Sequence, residues 1–191
     1  MKKIVFDIET SNEFLGSGGF DPKSLDISVV GVYDSSTDKY RAYLVEEFSE
    51  LWPVIESADV LIGYNSDHFD IPLLNKYYHG DLHSIKSIDL LKEIKNSLGK
   101  RLRLDSVAEA TLGTNKSGNG LDAVKWWKEG EVEKVKKYCL DDVKITKELY
   151  DYALKKGQLK YKNCGDIKTI ELNTSDWEKK EDSTLTHSLP F

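Results

Sequence analysis

Apolar residues fall in short runs through the N-terminal part of the chain and at helical spacing through the rest. Residues 2–8 (KKIVFDI), 27–33 (ISVVGVY) and 39–45 (KYRAYLV) are rich in β-branched and aromatic side chains, and each predicts a strand. Residues 59–63 (DVLIG) are short and apolar, as in a strand covered on both faces. A helical pattern interrupted by Pro53 runs from Glu46 to Ser57. Helical segments then dominate, at about 71–79, 87–98, 104–111, 121–128 and, longest, 131–156, with a terminal strand or hairpin over 158–172. Three strands, a helix, a strand and then helices predict an α/β fold, a mixed β-sheet flanked by α-helices.

The longest helix carries the most information. Lys134, Lys137, Asp141, Lys144, Glu148, Asp151 and Lys155 share one stripe, the solvent face. Tyr138, Asp142, Ile145, Leu149 and Tyr152 share another, facing the core. Asp141 therefore points outward and Asp142 inward. An inward acid is costly unless it is paired or holds a metal, so a hydrogen bond from Tyr138, one turn earlier, and a metal site are the two readings.

Two other segments hold acids in telling positions. In Phe6-Asp7-Ile8-Glu9-Thr10, strand alternation puts Asp7 and Glu9 on one face, with Phe6 and Ile8 on the other. Two carboxylates about 4 Å apart repel by around 4 kcal/mol at an effective dielectric near 20, and a divalent cation reverses that sign. In isolation such a pair also fits a strand edge with two solvated acids. The run from Gly63 to Leu74 leaves a strand, turns and enters a helix. Asp70, two residues before Pro72, suits a helix N-cap as well as a ligand. Tyr64, Asn65 and Phe69 suit packing or base stacking.

Composition narrows the classes. With 191 residues the chain accommodates one domain and a short appendage, expected at 1–172 with a flexible tail over 173–191. A net charge of −6 argues against gripping nucleic acid by bulk charge alone. It is compatible with an enzyme whose excess carboxylates are metal ligands. Cys139 and Cys164 form no C-x-x-C pair, which disfavours a thiolate zinc site and suits free thiols. No apolar run approaches the roughly 18 residues of a membrane span, and the N-terminus lacks a leader-like apolar region. A cytoplasmic protein without membrane contact is expected.

Together, the three segments resemble the DEDD (DnaQ-like) 3′→5′ exonuclease superfamily, whose fold is RNase H-like. Asp7 and Glu9 match its first motif, and the Y-N-x-x-x-F-D-I-P run from Tyr64 matches its second. Tyr138 with Asp142 matches the third in its tyrosine form, typical of the proofreading domain of family B DNA polymerases. The stretch from Leu104 to Tyr150 is similar to stand-alone RNase H-like exonuclease domains, with L-D-S-x-A-x-x-x-L-G followed by Y-C-x-x-D-V. The resemblance spans residues 2 to about 155 and departs only in size, since no polymerase domain follows.

By that resemblance, Asp7 bridges two Mg²⁺ or Mn²⁺ ions. Glu9 and Asp142 hold the ion carrying the attacking water, and Asp70 supports the second. Tyr138 orients the water, Thr10 and Ser11 contact the terminal nucleotide, and Asn65 and Phe69 hold the next. All-oxygen ligands suit these hard ions, and two ions roughly 3.5–4 Å apart suit an in-line displacement. The implied substrate is the 3′ end of single-stranded nucleic acid, DNA favoured over RNA, with replication or repair proteins as candidate partners. The alternatives are an RNA-trimming or structure-specific nuclease using the same carboxylates, and a non-catalytic nucleic-acid-binding module. Lys92, Lys95, Lys100, Arg101 and Arg103 read first as a solvated helix end and second as a flank for the strand. Gly16 to Gly19 read as a loop over the strand end, and Ser188 to Phe191 weakly resemble peptides that dock bacterial sliding clamps.

Overall fold

A computed structural model describes residues 1–13, 21–114 and 120–179 of the chain. The glycine loop at 16–19 and the segment at 188–191 lie outside the described residues. Five strands form one sheet in the order β3 (Lys39–Tyr43), β2 (Ile27–Asp34), β1 (Lys3–Thr10), β4 (Val60–Gly63) and β5 (Ser87–Asp89). The β3–β2 and β2–β1 pairs are antiparallel, and β1–β4 and β4–β5 are parallel. This is the mixed sheet expected of an RNase H-like α/β fold.

Strand alternation assigns the two faces. Ile4, Phe6 and Ile8 of β1 and Val30 and Val32 of β2 pack on one side. There they meet Leu51 and Ile55 of α1 (Phe48–Glu56) and Ile71, Leu73 and Leu74 of α2 (Asp70–Leu74). On the other side Val5, Tyr33 and Ile62 meet three helices: Ile94 of α3 (Leu90–Leu98), Val107 of α4 (Leu104–Leu112), and Val143 and Tyr150 of α6 (Val132–Lys156). α5 (Gly120–Lys128) packs beside α6, with Ala123 in a third cluster alongside Tyr138 and Cys139. Each face thus buries a continuous apolar layer, the main stabilising contribution in such a sandwich. No helix among the described residues is long and apolar enough to cross a membrane.

α6 runs for 25 residues and ends where Gly157 adopts φ +66°, a left-handed cap that an L side chain disfavours. The chain then turns into an antiparallel hairpin, β6 (Gln158–Asn163) and β7 (Asp166–Glu171), as expected for 158–172. The helix expected over 71–79 is shorter, Asp70–Leu74, and gives way to turns.

Two expectations need correction. The segment at 87–98 is not one helix. Ser87–Asp89 pairs with β4 as a short buried strand, and Asp89 then caps α3 by accepting from the Leu91 and Lys92 backbone N–H groups. Three residues at the edge of the sheet are too few to show alternation, so periodicity is silent there. The flexible tail, expected from Asn173, does not begin there. Trp177 is 5% exposed and stacks on Tyr150 at 5.4 Å between ring centres. Lys3 pairs with Glu178 at 2.7 Å, and the Lys86 ammonium donates to the Asp176 carbonyl. An aromatic side chain with a buried partner outweighs the polar composition around it.

Trp177→Ala is expected to lower unfolding stability by about 3 kcal/mol, as for a buried aromatic truncated to alanine. Urea denaturation monitored by circular dichroism measures it. An unchanged midpoint would mean that residues 173–179 do not contribute to the fold.

Candidate active site

The site begins on β1. Asp7 and Glu9 project from the face that carries α6, and Asp7 lies opposite Gly31 of β2 in the sheet register. A Cβ at Gly31 would sit 2.8 Å from Cys139 Sγ and 3.1 Å from a Val143 methyl carbon. Glycine here therefore lets α6 lie directly on the sheet. The Cys139 thiol donates to the Asp7 carbonyl oxygen at 3.3 Å, anchoring the helix beside the acids. Burial, followed by the nearby carboxylates, raises that thiol well above its ordinary value, so it stays protonated. Three residues further along α6, Asp142 faces the same point. Asp7, Glu9 and Asp142 each offer a carboxylate oxygen, and these oxygens lie within 4.8 Å of one another. Glu9 and Asp142 are buried, at 7% and 5% exposure.

The fourth acid arrives from β4. That strand pairs with β1 only through Lys3, Ile4 and Val5. Beyond this, the chain leaves β4 at Gly63, turns, and enters α2 at Asp70. Asp70 is the first residue of α2, with Phe69 at the cap position, so it is not the N-cap. Its buried carboxylate accepts from the backbone N–H of Ile8, between Asp7 and Glu9. Desolvation, helped by the negative charge of Asp89, raises the Asp70 carboxyl well above the usual range. Asp70 lines the same cleft as the other three without joining their convergent trio.

Asp89 is a residue that motif reading missed. It is buried and accepts from the backbone N–H groups of Asn65 (2.7 Å), Asp67 (3.2 Å), Leu91 (2.9 Å) and Lys92 (3.3 Å). One carboxylate thus caps α3 and also holds the turn of the second segment, where Asn65 adopts φ +70°. Burial raises its carboxyl, against these hydrogen bonds. The available signal was an aspartate just before the apolar-periodic run Leu90-Leu91-Lys92-Glu93-Ile94.

The cleft over the acids has a volume of about 680 Å³, within the range of ligand sites. Thr10, Asn65 and Phe69 line it, as do Tyr64, Asn12, Arg103, Leu121 and Val124. Two expected residues stand apart. Ser11 turns back to the Asp26 carbonyl through its N–H (2.8 Å) and hydroxyl (3.3 Å), and does not line the cleft. Tyr138 lies one turn before Asp142 on the buried face of α6, packs edge-on against Trp126 at 5.8 Å, and is not among the residues lining the cleft. Trp126 and its neighbour Trp127 are both partly buried against the cluster that contains Tyr138 and Cys139.

The donor set tests the fit to a metal. Every ligand candidate is a carboxylate oxygen, the hard donor that Mg²⁺ and Mn²⁺ prefer. Three acids crowded within reach of one another repel when ionised, and a divalent ion supplies the compensating charge. The residues therefore fit the implied ions.

A profile of the RNase H superfamily matches residues 4–154 of the chain. Among solved structures, the family B DNA polymerase of the archaeon Pyrobaculum calidifontis is similar in fold, with a TM-score of 0.60 and 22% identity. The match covers 80% of this chain but only 24% of that polymerase. A comparison with curated protein sequences found no match.

Gly31→Ala is expected to cost about 1–3 kcal/mol, the usual range for overpacking. Adding Cys139→Ala removes the closest clashing atom and is expected to recover part of that loss. A double-mutant cycle with zero coupling would contradict the seating of α6 on Gly31.

Proposed function

The chain belongs to the RNase H superfamily, and on that premise we propose that it is a metal-dependent 3′→5′ exonuclease of the tyrosine-type DEDD kind. Its substrate is the 3′ end of a single-stranded nucleic acid, with DNA favoured. The observation that carries the reading is the convergence of Asp7, Glu9 and Asp142 within 4.8 Å at the floor of an open cleft, with Asp70 bonded to β1 between the first two. The similarity to a family B DNA polymerase supports DNA over RNA.

Asp7, Glu9 and Asp142 would hold two Mg²⁺ or Mn²⁺ ions together with Asp70. Bound there, such ions lower the barrier to phosphodiester hydrolysis by activating a nucleophile and stabilising the leaving oxygen. The chain's own residues do the rest. Asp70 and Asp89 fix the turn that carries Tyr64, Asn65 and Phe69 to the cleft wall. Phe69 offers a ring on which a base can stack, and Asn65 offers an amide. Thr10 stands at the end of β1 for the terminal nucleotide, its hydroxyl donating to the Asn12 carbonyl at 3.0 Å. Tyr138, one turn from Asp142, is assigned to orienting the attacking water.

A 3′- or 5′-labelled oligonucleotide tests the reading, incubated with Mg²⁺ and, as control, with EDTA. Progressive shortening from the 3′ end is expected with the metal and none without it. A single internal cut would favour a structure-specific nuclease, and a strand bound intact would favour a binding module. Asp7→Asn is expected to retain the fold and to cost more than the roughly 10–100-fold typical of an outer-shell metal partner. Normal turnover in that variant would remove Asp7 from the ligand set. Tyr138→Phe is expected to slow hydrolysis while leaving strand affinity in place, and an equal loss of both would make Tyr138 a packing residue.

In the wild-type chain, Mn²⁺ is expected to raise the thermal midpoint, because an ion that binds only the folded state stabilises it by mass action. Asp7→Asn should diminish that shift. An equal shift in both chains, measured by differential scanning fluorimetry, would place the ions elsewhere.

A further inference from the structure

The proposed substrate is a polyanion, yet five of the residues lining the cleft are acids: Asp7, Glu9, Glu13, Asp70 and Asp142. Among the described residues that line it, the one cation is Arg103. This residue comes from neither the strands nor the motif segments. It sits in the connection between Gly99, which ends α3, and Leu104, which opens α4.

That connection is tied to the wall of the cleft at successive residues. The Arg101 guanidinium donates to Asn65 Oδ1 at 2.5 Å. The Tyr64 hydroxyl donates to the Leu102 carbonyl at 2.9 Å. Leu102 itself packs against the main core cluster. The backbone entering Arg103 is thus held to the same turn that carries Asn65, which Asp89 fixes from beneath. By contrast, the Arg103 side chain is 74% exposed, and its guanidinium meets Asp105 at 3.4 Å. An exposed pair of that length contributes little, so exchanging it for a phosphate costs little. The planar guanidinium suits a phosphate's two oxygens better than an ammonium does.

We propose that Arg103 is a strand-binding residue, contacting a backbone phosphate other than the one being cut. This rests on the nuclease reading of the cleft. It specifies the substrate as a strand long enough to place a second phosphate on the wall formed by Tyr64, Asn65 and Arg103, rather than a terminal linkage alone. Arg103 compensates at the rim for the negative charge on the floor. It contributes mainly to binding and not to the chemical step.

The test is binding by the full chain in the Asp7→Asn background, with Mg²⁺ and a fluorescein-labelled single-stranded DNA, followed by anisotropy across a series of NaCl concentrations. Arg103→Ala is expected to weaken binding about tenfold, the lower end for a charge-assisted hydrogen bond. It should also flatten the dependence of log K on log salt by about 0.7, one phosphate contact on a single strand. Arg103→Lys should keep the slope and lose part of the affinity. Lys168→Ala, an exposed lysine of β7 outside the cleft, should match the parent. With wild-type Asp7 restored, Arg103→Ala should raise KM with little change in kcat. If Arg103→Ala keeps both the parental affinity and the parental slope while the wild-type chain shortens DNA, the inference fails and the nuclease reading stands. If binding depends on Arg103 but the wild-type chain cuts nothing, the nuclease reading fails and the phosphate contact stands. If the chain binds no strand at all, both fail.

Discussion

Mutual repulsion among carboxylates is the constraint around which this molecule is arranged. Asp7, Glu9 and Asp142 are held with oxygens within 4.8 Å of one another, two of them nearly removed from water. Left flexible, such groups would separate, because each gains hydration by doing so. They stay together because the elements that carry them have little freedom. β1 is the central strand, paired on both sides. α6 is pressed against the sheet beside it through a close contact over Gly31 of β2, where a side chain would crowd Cys139 and Val143. The free energy of the apolar layers is thereby partly spent holding an electrostatically unfavourable cluster ready for a cation.

The fourth acid follows a different logic. Asp70 is held by accepting a backbone N–H on β1, where β4 has stopped pairing and a strand donor is available. Asp89 works in the same way one layer back, taking four backbone donors from two segments. Buried carboxylates that satisfy main-chain donors are effective joints, because unsatisfied donors at both ends would be costly. The turn carrying Asn65 and Phe69 is therefore rigid despite being a loop, and its left-handed residue is supported from beneath.

What could be read from the sequence follows from how far apart the interacting parts lie. Periodicity placed Asp7 with Glu9 on one strand face and Asp142 on the inner stripe of a helix, since both are local geometry. The outward stripe through Lys134, Lys137, Asp141 and Lys144 is exposed as expected. That all of these acids share one cleft came only through the resemblance, and the structure adds the reason in Gly31, whose role depends on a helix more than a hundred residues away. β5 was hidden because a strand of three residues is too short to show a period. Asp89 was hidden because its four donors come from two separate places. Trp177 was hidden because its partner Tyr150 lies in another element. Ser11 went the other way: adjacency to a motif implied a role, but the backbone turns it toward Asp26.

The acidity of the whole chain and of its cleft raises a kinetic question that pairwise contacts do not answer. A net charge of −6 repels an incoming strand at long range. At physiological ionic strength, however, that field decays over about 8 Å. What a strand end meets on arrival is therefore local. It meets a floor whose charge divalent ions would offset, and a rim where Arg103 stands, with Arg101 behind it braced on Asn65. Such an arrangement admits a flexible strand end, which can thread between rim and floor, more readily than a stiff duplex with two charged backbones to accommodate. On the proposed nuclease reading, a preference for frayed or single-stranded ends would arise from where positive charge is absent as much as from where it is present.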